Sequence, residues 1–392
     1  MTPTARPSGR WITTTEAAQR LGVKRATLYA YVSRGVLRSE RRPGQQESLF
    51  DRAQIDALAS STRAAGGARP VLRFRSVASA VSSQVDGDLL YRSTPLADVV
   101  ALGSFDEAAE LVLGSLGAQP VPQVPASPAI DLGALPLERR MPVAVQLLAA
   151  ADPFASDTDP DRVCRSARST LRSAVALVAG RPTPPAASAD VASLALEALG
   201  GSSTTAADVA VLRVLLVALL DHGLTASTVA ARVAASTRAG LHDCLSAAYA
   251  AMAGPLHGAA PVAAHALLVE GADPVALVAR SLRLHGAVPG FGHFLYPDGD
   301  PRADVVLEAL WRRRGTIRLR RRVEAVAAVV AERTGTLPNI DLASAAVLHA
   351  LRLPAESGEV VFQMARSVGV AAHVVEEYAE EPLRWRGRDP QG

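Results

Sequence analysis

Cysteine, aromatic side chains and long apolar runs are all scarce in this chain, and each shortage excludes something. Two cysteines in 392 residues, Cys164 and Cys244, stand far apart and match no metal-binding or redox spacing. No metal site is therefore expected, and the thiols point to the reducing cytoplasm. Aromatic residues make up only 4% of the chain. Its core has to be filled by aliphatic and alanine side chains, which favours closely packed helices. The most apolar run, Val209 to Leu220, contains Arg213 and is too short to span a bilayer. No signal peptide is visible, and a soluble protein without membrane association is expected. What is present is length, enough to bury a substantial core and to form more than one domain.

The net charge of +3 conceals an asymmetry. Residues 1–69 carry 12 Lys/Arg against 5 Asp/Glu, net +7, and the remainder carries 29 against 33, net −4. A basic segment on an acidic body points to a nucleic-acid-binding module attached to something else. Within it, Thr13-Thr-Thr-Glu16 reads as a capping sequence before a helix at Ala17–Leu21. Gly22 breaks that helix, and a second follows over Lys24–Val32. Leu21, Val23, Leu28 and Val32 can form a small core, leaving Lys24, Arg25, Thr27, Tyr31 and Arg34 facing outward. Short strands are expected at 35–38 and 48–50 around a turn at Arg41-Arg-Pro-Gly44, with Asp51 capping a last helix through Leu58. The whole resembles the MerR/excisionase-like winged helix-turn-helix. That resemblance implies duplex DNA as a partner, with the second helix in the major groove and Arg41-Arg42 on phosphates. The alternative is a basic helical pair that docks only other proteins. Residues 1–60 are assigned to this domain, and the small, polar stretch 61–70 to a flexible linker.

Three stretches downstream carry the candidate chemistry. Gly286-Ala-Val-Pro-Gly-Phe-Gly-His293 continues to Asp300-Pro-Arg302, where a helical pattern starts. Its glycines at 290 and 292 permit positive φ, and Pro289, Pro297 and Pro301 stiffen it. A histidine held by a stiff loop beside an arginine suits a polarised carbonyl and a bound carboxylate. Upstream lies Gly254-Pro-Leu-His-Gly258, and downstream Pro338-Asn-Ile-Asp341. Taken alone, Asp341 reads as a helix N-cap.

In this order the three stretches resemble the citrate synthase family: GPLHG, then GFGH with DPR, then PN-hydrophobic-D. Asp86-Gly-Asp-Leu-Leu-Tyr-Arg92 followed by Ser104–Leu113 resembles the family's entry segment. Asp221-His-Gly-Leu-Thr-Ala-Ser-Thr-Val-Ala-Ala-Arg232 is similar to its D-H-x-L-N-A-S-T-F-A-A-R. The resemblance implies an acyltransferase that condenses an acyl-CoA, acetyl or propionyl, with oxaloacetate or a related 2-oxo acid and releases coenzyme A. It gives His257, His293 and Asp341 catalytic roles, with Asp341 as the base. His222, Arg302, Arg366 and Arg384 become substrate-binding residues. Arg384 would come from the neighbouring subunit, which implies a homodimer. Acyl-CoA is a co-substrate, and no permanently bound cofactor is implied.

The chain departs from the family pattern in places. Thr225 stands where the family has asparagine, Gly258-Ala-Ala260 replaces H-G-G-A after the histidine, and 114–136 is a Pro/Ala-rich loop. Phe294-Leu-Tyr-Pro-Asp298 replaces the arginine and following basic residue usual after GFGH. The run 311–314 with Arg318 and Arg320–Arg322 reads as a solvated helix face, with a contact to coenzyme A phosphates as the other reading.

Apolar positions recur at helical spacing over 143–150, 163–178, 191–199 and 206–220, and strand signals are sparse. An all-α fold is expected, with a large domain at 71–258 and 355–392 and a small one at 259–354. The competing function is a DNA-binding transcriptional regulator whose synthase-like body senses a metabolite.

Overall fold

The computed structural model describes residues 11–21, 28, 37, 39–40, 48–52, 54–55, 77–114, 131–183, 185–186, 189–201, 205–269 and 273–386. The chain forms two compact units, residues 1–77 with 387–392, and residues 78–386.

In the first unit, β1 (Trp11–Thr13) runs into α1 (Thr14–Leu21). Thr13 N–H donates to Glu16 Oε2 at 3.0 Å, and Glu16 N–H donates to Thr13 Oγ1 at 3.2 Å. This is the reciprocal capping expected from the sequence. After β2 (Ser39–Glu40) comes β3 (Leu49–Asp51), which lies between β1 and β2 and is antiparallel to both. The two expected strands thus begin slightly later in the chain, and β1 is a third that the sequence reading did not include. Ile12, Ala17, Ala18, Leu28, Leu37, Phe50 and Ile55 form the core, with Leu21 packed on it. Val23, Val32, the linker 61–70, the wing tip and the five residues expected to face outward, Lys24, Arg25, Thr27, Tyr31 and Arg34, lie outside the described residues.

The second unit opens with the hairpin that Asp86-Gly87 signals, β4 (Ser82–Val85) with β5 (Asp88–Tyr91), extended by β6 (Thr94–Pro95). Helices follow: α2 (Leu96–Ala101), α3 (Phe105–Leu113), α4 (Leu137–Ala151), α5 (Pro160–Val178), α6 (Val191–Ala198) and α7 (Ala206–Ala218). They continue with α8 (Ala226–Ser236), α9 (Leu241–Met252), α10 (Ala260–Val269), α11 (Pro274–His285), α12 (Pro301–Arg312), α13 (Ile317–Thr334), α14 (Ile340–Leu351) and α15 (Ser357–Tyr378). The four expected helical stretches are α4 to α7, and the protein is predominantly helical. None of the described helices is long and apolar enough to cross a membrane.

The sequence marks helix starts well. Ser104, Asp159, Asp190, Thr205, Asp273 and Asp300 each accept a backbone N–H of the first turn of the helix that follows. Proline occupies an early helical position in α5, α11 and α12, where its missing N–H leaves no intrahelical bond unmade.

α15 is the axis of the unit. It packs against α3, α4, α5, α7, α8, α9, α10 and α14, and 19 of its 22 residues are buried, so it presents no solvent face along most of its length. A separate small core joins Leu267, Leu277, Val278, Val288, Val326 and Val330, from α10, α11, the following loop and α13.

Gly369 lets α15 meet the chain that leaves α7. Its N–H donates to Leu220 O at 3.2 Å. A Cβ at 369 would stand 2.4 Å from that oxygen and 2.7 Å from Asp221 Cβ. Gly369→Ala is therefore expected to destabilise the protein by about 1–3 kcal/mol through overpacking, measured by urea unfolding. An unchanged unfolding midpoint would refute the close packing.

Candidate active site

Each motif histidine sits where a helix has been interrupted. His257 follows α9 in a turn whose N–H donates to Gly254 O, and α10 starts after it. His222 lies in the bend between α7 and α8. His293 lies in the long loop between α11 and α12. Where the protein has no helix, backbone groups and short side chains are free to make other bonds, and here those bonds tie the loops together.

The tightest lacing joins 290–293 to 337–342. Gly292 N–H donates to Leu337 O at 2.8 Å, Asn339 N–H to Gly290 O at 2.9 Å and Asn339 Nδ2 to Gly292 O at 2.9 Å. Gly290 has φ +81°, and a Cβ there would lie 2.8 Å from Leu342 Cβ, so only glycine fits. The cap of α14 is Asn339, whose side chain accepts the N–H groups of Asp341 and Leu342. Asp341 is thus not the N-cap that its position allowed. It is a first-turn residue whose carboxylate makes no hydrogen bond among the described residues.

Asp300 is a site residue to which the sequence reading gave no role. Buried at the start of α12, it accepts Arg302 Nε at 2.9 Å and Nη2 at 2.8 Å as a bidentate pair. It also accepts Ile340 N–H at 3.0 Å. One carboxylate therefore orients Arg302 and joins the starts of α12 and α14, which brings Arg302 into the surroundings of Asp341. The signal was Asp300-Pro301, an N-cap followed by proline.

A second chain of contacts joins His257 to Arg366. His257 Nε2 is 2.7 Å from Ser227 Oγ, Ser227 Oγ is 3.2 Å from Thr225 Oγ1, and Arg366 Nη1 donates to Thr225 Oγ1 at 3.2 Å. Thr225 thus accepts a bond from Arg366 at the position where it departs from the asparagine pattern. Phe362 lies under the Arg366 guanidinium at 4.8 Å and 5.4 Å from the His257 ring. Arg366 Nε donates to Leu219 O, while Nη2 is buried without a protein partner. His222 and His293 meet edge to face with centroids 5.1 Å apart. His293 Nδ1 accepts Leu295 N–H at 3.2 Å, so the proton of the neutral ring sits on Nε2.

Arg384 is placed elsewhere. It forms a bidentate pair with Glu377, Nε–Oε1 2.7 Å and Nη2–Oε2 2.6 Å, with Trp385 Nε1 on the same carboxylate. Glu377 also takes Arg232 Nε at 2.9 Å, and Arg232 Nη1 donates to Glu376 and to His373 Nδ1. The proton of His373 then lies on Nε2, 3.3 Å from Asp221 Oδ2. This network supports the loop of His222 from behind but contains none of the other site residues. Among the described residues no group of His, Cys, Asp and Glu is arranged to hold a metal ion.

Burial and two arginines set the protonation of the cluster. Burial and the charges of Arg302 and Arg366 push His222 down to about 2. Burial and Arg366 push His257 down to about 4, and burial and Arg302 lower His293. All three are held neutral near pH 7, and a neutral imidazole carries one N–H and no charge. Burial pushes the Asp341 carboxyl up to about 6, against the opposing pull of Arg302. The set is two fixed cations, three neutral imidazoles and one basic carboxylate.

The raised Asp341 also weakens the fold. Its folded value lies above its unfolded one, so its contribution is greatest below pH 4 and is lost as pH rises through about 6. Asp341→Asn should stabilise the protein at pH 7.5, by up to about 3 kcal/mol, and should flatten stability between pH 4 and 6. Urea unfolding across that range is the check, and equal pH slopes for both proteins would contradict the assignment.

Comparison with known proteins bears on the same residues. The family described as citrate synthase, C-terminal domain, matches residues 73–386, and a helix-turn-helix domain family matches 11–63. The chain is 29% identical to 2-methylcitrate synthase of Mycobacterium tuberculosis over 324 residues, covering 75% of this chain and 82% of that one. It is 32% identical to the citrate synthase of Haloferax volcanii over 170 residues, 42% of this chain, so that match spans only 45% of the relative. In fold it resembles citrate synthase of Thermoplasma acidophilum, solved with carboxymethyl coenzyme A and oxaloacetate. That likeness has a TM-score of 0.65 at 24% identity and covers 81% of this chain and 93% of that one. Citrate synthase of Thermotoga maritima gives a TM-score of 0.64 at 22% identity, covering 83% and 95%. The chain belongs to the citrate synthase family, and it carries a helix-turn-helix domain ahead of the synthase body.

Proposed function

We propose that the chain is a citrate synthase-type acyltransferase, condensing acetyl- or propionyl-CoA with oxaloacetate or a related 2-oxo acid and releasing coenzyme A. The observation that carries this reading is the charge state of the cluster. A buried carboxylate raised to about 6 feels the buried Arg302, and His222 and His257, which feel Arg366, are held neutral. Protons beside a thioester carbonyl are weakly acidic, so a carboxylate needs help to remove one. Asp341 takes the proton while the His257 imidazole donates to the developing enol oxygen, which offsets the unfavourable transfer. The enol carbon attacks the keto carbonyl, polarised by His293 through its protonated Nε2. Arg302, Arg366 and His222 hold the 2-oxo acid, and the Arg366 Nη2 without a protein partner suits one of its carboxylates. Hydrolysis of the acyl-thioester product then makes the condensation irreversible. We assign 259–354 as the small domain, whose own apolar core suits closure over the reactants.

We place the enzyme in the cytoplasm as a homodimer and reserve Arg384 for the partner's site, since in its own chain it lies on Glu377, apart from the cluster. Mixing Arg384→Ala with Asp341→Asn subunits should restore one working site per heterodimer. Confirmed heterodimers without activity would remove Arg384 from the site.

A second reading, a transcriptional regulator that senses a metabolite, is favoured by the helix-turn-helix match at 11–63. On either reading the basic N-terminal domain contacts duplex DNA, with Lys24, Arg25, Thr27, Tyr31 and Arg34 as the contact set. Lys24→Ala should then lower affinity for genomic fragments in a salt-dependent manner. The regulator reading further requires the 2-oxo acid to change that affinity.

The test of the enzyme is release of free coenzyme A. Asp341→Asn should lower the rate by roughly two to four powers of ten and leave oxaloacetate binding nearly intact. Wild-type kcat/KM should rise with pH through about 6 as Asp341 ionises. Wild-type protein that binds oxaloacetate but releases no thiol from either acyl-CoA would fail this reading and leave the regulator.

A further inference from the structure

Tyr296 lies three residues beyond His293, in a loop segment for which neither sequence nor family gave it a role here. It is 3% exposed and touches three site groups at once. Its ring centroid is 5.0 Å from that of His293, and the Arg302 guanidinium lies 5.4 Å from it. Its hydroxyl is 2.9 Å from His222 Nε2. The Gln84 amide nitrogen stands 3.4 Å from the same Nε2. An amide NH2 only donates, and burial pushes the Tyr296 phenol up to about 12 so that it keeps its proton. The Gln84 amide therefore makes Nε2 an acceptor, and the protonated Tyr296 hydroxyl is then the second donor to it.

We propose that Tyr296 is a positioning residue that fixes the proton of His222 on Nδ1, so that the ring meets the 2-oxo acid as a donor. A neutral imidazole has one N–H, and whichever nitrogen is bonded as an acceptor leaves the other as donor. No protein partner is described for His222 Nδ1, so its N–H is available to a carbonyl or carboxylate oxygen. His222 hangs from the end of α7 and Tyr296 from the loop before α12, so the proton of one loop is set by a side chain of the other. Without the hydroxyl, His222 would divide between its two tautomers, and only one presents a donor to the ligand.

The inference rests on the condensing-enzyme reading for the identity of the ligand, and its test stands apart from that reading. Tyr296→Phe keeps the ring packing and removes only the hydroxyl. In the full-length protein it should raise the oxaloacetate KM, or the calorimetric Kd, roughly three- to tenfold, with kcat changed much less. In ¹⁵N-histidine NMR the His222 signals, identified by their loss in His222→Gln, should show Nδ1–H alone in the wild type and a mixture in Tyr296→Phe. Wild-type protein that releases no coenzyme A would refute the enzyme but leave the binding and NMR readouts in place. The same single tautomer in both proteins, or an unchanged oxaloacetate affinity, would overturn the role of Tyr296.

Discussion

The structure depends on burying ionisable side chains along one central helix. α15 is enclosed by other helices and carries Arg366, His373 and Glu377 into an interior of low polarity. Each such group has to find a partner, because an unpaired charge there is far more costly than on the surface. Glu377 is met by Arg232, Arg384 and Trp385, and His373 by Arg232 and Asp221. Arg366 finds Leu219 O and Thr225 and is left with one donor unmatched. Most of the network therefore serves the fold, and the buried atoms it leaves without a protein partner are Arg366 Nη2, Arg232 Nη2 and Asp221 Oδ1.

The same burial explains the chemistry of the cluster. Two arginines held without escape to solvent divide the neighbouring titratable groups between them. Both work with burial to keep His222 neutral, Arg366 does so at His257 and Arg302 at His293, and Arg302 works against burial at Asp341. Arg302 can sit there only because Asp300 neutralises it through a two-point contact. Asp300 is in turn held by a backbone N–H of α14. The charge of the site and the joining of its two helix starts are thus one arrangement.

Much of this was legible in the sequence because it depends on neighbours in the chain. Helical periodicity located α4 to α7, Thr13–Glu16 gave a reciprocal cap, and Asp86-Gly87 gave a hairpin. The three short motifs made His257, His293 and Asp341 candidates through their resemblance, in order, to those of the citrate synthase family. The family followed from their order along the chain.

What the sequence could not determine is what depends on groups far apart in it. Nothing in the local pattern distinguishes Asp341 as a cap from Asp341 as a base. The structure gives the cap to Asn339 and raises the Asp341 carboxyl through burial, with Asp300 and Arg302 nearby. Nor does it show that Tyr296 meets His222 across 74 positions, or that Arg384 lies on Glu377 in its own chain. Local sequence determines backbone preference, which is a short-range property of adjacent residues. Proton positions and charge states are set by desolvation and by neighbours in space, and only the packed tertiary structure supplies those.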